Sequence, residues 1–201
     1  MKLKKKILII GQGKHSKVVK ESAQSLKLNF YKIKKNFKNK SDIMLEKNIR
    51  KNKKNILLHI AIGSNSIRKK VFNFYKKKGY SFCNIVDPSS IVSKSAKLSP
   101  GIFVAPGSII NGAVKIGSNS IINSGSIIEH HAIIKKNSHI APGTKILGSC
   151  KIGESCLIGA GSVINSGIRV GDFCTVGLGS AVIKDCDKNS VYVGLPAKKI
   201  K

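Results

Sequence analysis

From Val86 to Val182 every sixth residue is Val, Leu or Ile, seventeen positions in one register without a gap. Four places after each, the residue is nearly always small, as at Ser108, Ser126, Thr144, Cys150, Ser162 and Cys174. Ile102, Val114 and Ile168 are the larger exceptions. A fixed period of this kind settles the architecture before any other consideration. A helix repeats its apolar positions at about 3.6 residues and a half-buried strand at about 2. Six fits a short strand plus a corner, repeated. One branched residue points inward from each flat face, and the small residue fills the tighter space near the corner. Three such faces close a triangular coil of about eighteen residues. The repeats from Val92 to Asp187 give roughly five coils, about 25 Å tall at the spacing of paired strands. This half of the chain reads as a parallel β-helix. No insertion breaks the register, so no long loop leaves the coil between Val86 and Val182.

The repeats occupy about half of the 201 residues, so a second unit precedes them. Ile7 to Ile10 is a short apolar run of the buried parallel-strand kind. Gly11 to Ser16 reads as a turn and Val18 to Leu26 as a helix. Leu28 to Ile33 suits a second strand. Asn55 to Ile62 suits a third, ending at Gly63-Ser64-Asn65. Ile67 to Lys78 is a basic amphipathic helix, and Phe82 to Val86 a fourth strand leading into the coil. Strand, glycine turn and helix repeated in this way make a small Rossmann-like α/β unit. The expected division is residues 1–84 and residues 85–201, the latter ending in a short tail. The stretch from Lys34 to Lys54 is polar and Lys-rich, a loop with a weak helix around Ile43 to Lys47. The turns at Gly13 to Ser16 and Gly63 to Asn65 fall side by side at the carboxyl edge of the sheet, where a ligand is expected. Gly11-Gln12-Gly13 lacks the third glycine of a dinucleotide fingerprint, which argues against NAD.

Lys4-Lys5-Lys6 before Ile7 to Ile10 imitates the start of a signal peptide. The apolar run is too short and meets Gly11-Gln12-Gly13 instead of a cleavage site. No stretch is long and apolar enough to span a bilayer. The expectation is a cytoplasmic protein with no membrane partner. The net charge of +28 invites a nucleic-acid reading. Of the 37 basic residues, however, only Arg50, Arg68 and Arg169 are arginine, and there is no Trp to stack on bases. Lysine accumulation on a solvated surface is the first reading, attraction of small anionic substrates the second. Nucleic acid is not expected. Cys150, Cys156, Cys174 and Cys186 all take the small inward position, where free cysteine acts as a small hydrophobe. With no Cys-x-x-Cys pair, neither a metal nor a disulfide is expected.

Three of the five histidines fall within ten residues: His130, His131 and His139. Ile128 points inward, so His130, two places later, lies at an outward corner, with Glu129 before it and His131 after. An imidazole there has no core to fill and titrates near neutrality, which suits a general base. His139 follows His130 by nine residues, half of a coil, so within one chain the two face opposite sides of the prism. In a three-fold ring of prisms the side of one chain meets the opposite side of its neighbour. An active site using both is therefore expected between subunits.

At this point the chain resembles a known family. The hexapeptide coil, Ile128-Glu129-His130, His139-Ile140-Ala141-Pro142 and the ending Val193-Gly194-Leu195-Pro196-Ala197-Lys198 are similar to sugar acetyltransferases of the NeuD/PglD type. Gly11-x-Gly13-x-His15, Ala61-Ile62-Gly63-x-Asn65-x-x-Arg68 and Asp87-Pro88-Ser89 extend the likeness through the front half. The resemblance implies a left-handed β-helix, a homotrimer and acetyl-CoA as co-substrate with no metal. It implies that His130 takes a proton from the acceptor, which attacks the thioester directly. His139 would contact acetyl-CoA or the oxyanion, and Gly148, one coil above His130, with Ala160, Gly177, Leu178 and Gly179 higher still, would line the CoA cleft. Gly13, Lys14, His15, Gly63 and Asn65 would touch a nucleotide-sugar.

Three departures stand out. The family usually carries Asp or Glu directly after the catalytic histidine, where this chain has His131. The first loop reads Lys14-His15-Ser16 in place of Gly-His-Gly. Lys32 to Lys35 replaces an acidic pair after the second strand. The leading expectation is N-acetylation of a nucleotide-linked amino sugar. O-acetylation of a sialic-acid-like sugar follows, then acyl transfer to another small acceptor such as serine. A trimeric binding protein with an impaired site is the non-enzyme alternative.

Overall fold

The computed structural model describes residues 6–28, 30–33 and 55–201. The helix expected near Ile43, and the Lys34 to Lys54 loop around it, lie outside the described residues. The front unit runs β1 (Lys6–Ile10), α1 (Lys14–Ser25), β2 (Phe30–Ile33), β3 (Ile56–Ile60), α2 (Asn65–Lys77) and β4 (Ser81–Phe82). Its four parallel strands are ordered β2-β1-β3-β4. Alternate residues of β1 feed two cores, because successive side chains leave a strand on opposite faces. Leu8 and Ile10 pack with Val71, Phe72 and Tyr75 of α2. Ile7 and Ile9 pack with Val19 and Ala23 of α1, and in the same cluster with Ile85, Phe103 and Ile121 of the coil. The second cluster welds the two halves together.

Both helices begin earlier than the sequence pattern suggested. Helix α1 starts at Lys14 because Gly13 is extended at its N-cap and the Ser16 hydroxyl donates to the Gly13 carbonyl at 2.8 Å. Helix α2 starts at Asn65, where the Ser64 side chain accepts from the Ile67 amide. Lys14, His15 and Asn65 thus stand in first helical turns. The single strand expected over Phe82 to Val86 is two. β4 closes the first sheet, and β5 (Ile85–Val86) opens the coil. Asn84 between them accepts the Ile102 amide at 2.9 Å, turning the chain from one sheet into the other. Gly11 is required by close approach: with φ +152°, a Cβ there would lie 2.2 Å from the carbonyl oxygen of Ala61, just after β3.

Seventeen two-residue strands follow, from β5 to β21 (Ala181–Val182), each ending on one of the periodic residues. They pair in parallel at steps of eighteen residues, for example Ile116 with Ile134 and Ile128 with Ile146. The result is a β-solenoid of about six turns with three faces. The periodic residues stack inside as one continuous core. The small residues do more than fill space. Ser126 and Thr144 donate to the Asn123 and Ala141 carbonyls at the corners, and the thiols of Cys150 and Cys156 reach the Asn165 and Gly171 carbonyls. Cys150, Cys156, Cys174 and Cys186 are free and buried. The last strands, β22 (Val191–Gly194) and β23 (Ala197–Lys199), form an antiparallel ribbon at the end of one face.

The first residue of each short strand points outward, and the three faces differ in what they carry. On the docked face, Ile85, Phe103 and Ile121 are buried under the front unit, followed by His139 and Leu157. The apolar face presents Ile91, Ile109, Ile127, Lys145, Val163 and Ala181. The basic face presents Lys97, Lys115, Ile133, Lys151 and Arg169. Of the five basic residues that lead these strands, four stand on this face and Lys145 alone on the apolar one.

Candidate active site

The Glu129-His130-His131 corner joins the apolar face to the basic face. Both imidazoles are exposed. His131 takes the left-handed backbone that recurs at every corner from Gly101 to Gly179, with φ 61°. Its Nδ1 lies 3.1 Å from Nδ1 of His130, and the rings meet edge to face. On its other side, the His130 ring lies over the backbone of Gly148, one coil above: a Cβ on Gly148 would come 2.7 Å from Cε1 and 2.9 Å from Nε2. Gly148 thus makes room for the ring. Glu129 turns away from both histidines, its carboxylate accepting from Asn111 Nδ2 at 2.8 Å.

A second group of polar residues forms where the front unit meets the docked face. His15, in the first turn of α1, packs edge to face on Phe103, with His139 tilted 6.4 Å away and His59 of β3 also on Phe103. Under them runs the Arg68 side chain, 1% exposed. Its guanidinium donates to the carbonyls of Ile62, Gly63, Asn119 and Asn137 and to Oδ1 of Asn65. Asn65 in turn donates to the Cys156 carbonyl at 2.9 Å. Burial lowers Arg68 to about 9, so it stays charged at neutral pH. His15 is lowered to about 4 by burial first and the Arg68 charge second. His139 is lowered to about 4 by burial, Arg68 and His15, against a raising hydrogen bond to the Gly63 carbonyl. His59 is lowered to about 4 chiefly by burial, its bond to the Cys83 carbonyl opposing. All three rings are neutral at pH 7. Asn123 Nδ2 lies 3.1 Å from His139 Nε2. An amide nitrogen donates, so that ring nitrogen accepts and the proton sits on Nδ1.

The expected residues therefore sort into three sets within one chain. Glu129, His130, His131 and Gly148 occupy the corner between apolar and basic faces. Gly13, Lys14, His15, Gly63, Asn65 and His139 gather between the front unit and the docked face. Ala160, Gly177, Leu178 and Gly179 form the third set, higher along the coil. They lie on the corner leading from the docked to the apolar face, with Gly179 donating to the Ala160 carbonyl. Of the second and third sets, Gly13, Lys14, Ala160, Leu178 and Gly179 are exposed. Asn65 has both ends of its amide engaged by protein groups. Arg68, His59 and Asn123 were not picked out as site residues from the sequence. Among the described residues no group of three or more His, Cys, Asp or Glu side chains is arranged to hold a metal ion. No described helix is long and apolar enough to cross a membrane.

A Rossmann-like unit docked on a hexapeptide solenoid, with an imidazole displayed on a corner, defines a class of transferase architecture. Comparisons agree with that class. The family model for the PglD N-terminal domain matches residues 6–75, and the bacterial transferase hexapeptide model matches residues 113–148 and 131–166. PerB from Caulobacter crescentus, solved with CoA and GDP-perosamine, is 27% identical over 97% of this chain and 97% of its own, with a TM-score of 0.86. The acetyltransferase domain of PglB from Neisseria gonorrhoeae, in complex with acetyl coenzyme A, superposes with a TM-score of 0.90 at 24% identity, covering 98% and 99% of the two chains. WeeI from Acinetobacter baumannii gives 0.81 at 22% identity, covering 96% and 99%. By these matches the chain combines a PglD N-terminal domain with bacterial transferase hexapeptide repeats, the architecture of the CoA-binding sugar acetyltransferases to which it is similar.

Proposed function

We propose that the chain acetylates the amino group of a nucleotide-linked amino sugar, with His130 as general base and no acyl-enzyme. Residues 1–84 hold the nucleotide-sugar, with Gly13, Lys14, His15, Gly63 and Asn65 around it. Residues 85–201 carry out the transfer. His130 Nε2 takes a proton as the amine nitrogen attacks the thioester carbonyl. The N–C bond forms, the C–S bond breaks, and the proton leaves with the CoA thiolate. The observation that carries this reading is the exposed His130 ring, held between Gly148 and His131 with Nδ1 occupied, so that Nε2 is the nitrogen left for substrate. The GDP-perosamine and CoA of the similar Caulobacter protein support an amino-sugar acceptor.

The reaction takes place between the chains of a cytoplasmic homotrimer. Two observations support this arrangement. The His130 corner and the His15–His139 group lie on different sides of a single prism. The apolar face, with Ile91 64% exposed, has no cover within the described residues. A neighbour's His130 then meets this chain's His139, and acetyl-CoA lies along the cleft beside Gly148, Ala160 and Gly177 to Gly179.

The test is thiol release from acetyl-CoA with nucleotide-linked amino sugars, sialic acids and serine as acceptors, with His130→Ala alongside and the oligomer sized by sedimentation. Turnover with an amino sugar, lost in the variant, is expected. Turnover confined to a hydroxyl acceptor replaces N- by O-acetylation. A fully active monomer overturns the intersubunit site. A folded trimer that turns over no acceptor favours the impaired binding protein.

A further inference from the structure

We propose that His131 is a positioning residue: as a neutral imidazole it accepts the Nδ1 proton of His130 and fixes the tautomer in which Nε2 is basic. This inference rests on the reading of His130 as the base. A contact of 3.1 Å between two Nδ1 atoms needs one donor and one acceptor. Two neutral arrangements satisfy it. If His131 donates, the His130 proton sits on Nε2 and no base faces the substrate. If His130 donates, its Nε2 carries the lone pair that the reaction needs.

The chemistry selects the second arrangement. When Nε2 takes the acceptor's proton, His130 becomes an imidazolium with hydrogens on both nitrogens. Its Nδ1–H then bonds a neutral His131 as a charge-assisted hydrogen bond, stronger than the one it replaces. The pair stabilises the charge that develops in the transition state. Gly148 closes the other side of the ring, so orientation is held from two directions.

Glu129 does not fill this role, because its carboxylate is bound to Asn111. The other charged groups flanking the corner are Lys115 and Lys151 on the basic face and Lys145 on the apolar face, all exposed. None supplies an acceptor. His131 is thus the hydrogen-bond acceptor in contact with His130 Nδ1. A neutral acceptor supports an imidazolium less than a carboxylate does.

The test is a pH profile of kcat and KM for the parent enzyme, His131→Ala, His131→Asn and His131→Asp, with His130→Ala as control and trimer assembly checked throughout. His131→Ala is expected to lose about tenfold in kcat at nearly constant KM, with its acid limb moved to lower pH. His131→Asn offers a carbonyl acceptor that does not titrate, and restores the plateau to within about threefold of the parent. His131→Asp adds an opposite charge, raises kcat and moves the acid limb up by about one pH unit or more. Unchanged kcat and profile in His131→Ala, with His130→Ala inactive, overturns the positioning role alone. A faster His131→Ala shows the opposite tautomer and overturns it too. Full activity in His130→Ala overturns the base assignment and the positioning role together.

Discussion

Acid should loosen this protein at the seam between its halves. His15, His59 and His139 each stand at about 4 in the folded chain, lowered mainly by burial. In the unfolded chain a histidine takes its proton near 6.5. The folded values are the lower ones, so the unfolded state binds more protons between those limits. Stability is then complete above about pH 7, falls as the pH drops through 6.5, and levels off below 4. At pH 5 each ring costs about 2 kcal/mol, and the three together about 6 kcal/mol if they titrate independently. That is an upper figure, because rings around one arginine share its field. It is still comparable with the whole stability of a typical domain. The assay is urea unfolding followed by circular dichroism from pH 8 to 4, repeated on His59→Gln, whose amide can still donate to the Cys83 carbonyl. The parent should lose stability with a slope approaching three protons, and the variant with about one fewer. A flat profile from pH 7 to 4.5, or equal slopes in both proteins, refutes the argument.

Two further substitutions probe the same architecture. Gly148→Ala puts a methyl group within contact distance of the His130 ring, displacing it from its place on the backbone. Activity should fall at least tenfold while the melting temperature stays within a few degrees, as read by thiol release and calorimetry. Arg68→Met leaves the carbonyls of Ile62, Gly63, Asn119 and Asn137 without their donor. It should cost about 4 kcal/mol and lower Tm by about 10 °C, measured by thermal unfolding.

Much of the fold was legible because the solenoid writes itself in the sequence. Each inward residue from Val86 to Val182 is reinforced by partners eighteen residues away, so local pattern and tertiary packing agree. His130 could be placed on a corner by counting from Ile128. The front unit was legible as strands and helices, but its helix starts were not. They depend on Ser16 and Ser64, whose hydroxyls serve the backbone in ways a hydropathy pattern does not register. The Arg68 cluster was harder still, since it exists only once α2 lies against the corner at Asn119 and Asn137. One signal did point to it. In a chain that uses lysine almost everywhere, only three of 37 basic residues are arginine. A position that keeps arginine against that tide needs the planar fork of donors. Ala160 and Gly179 lie higher along the coil than His130, but 30 and 49 residues after it, neither a multiple of eighteen, and so sit on a different corner from Gly148.

Every corner from Gly101 to Gly179 bends through a residue with positive φ: Gly, Asn, Ser, Ala, His or Phe, and never a β-branched one. The coil therefore vets the neighbour of His130 before chemistry does. Residues that tolerate that backbone most readily are glycine and the short polar side chains, Asn, Asp and His among them. Apart from glycine, those are also the side chains with an atom able to receive a proton's hydrogen bond at close range. A scaffold that repeats one bend at every corner keeps an acceptor within easy mutational reach beside any histidine it displays, and exchange of one acceptor for another becomes a change of strength and pH range, with the machinery itself left in place.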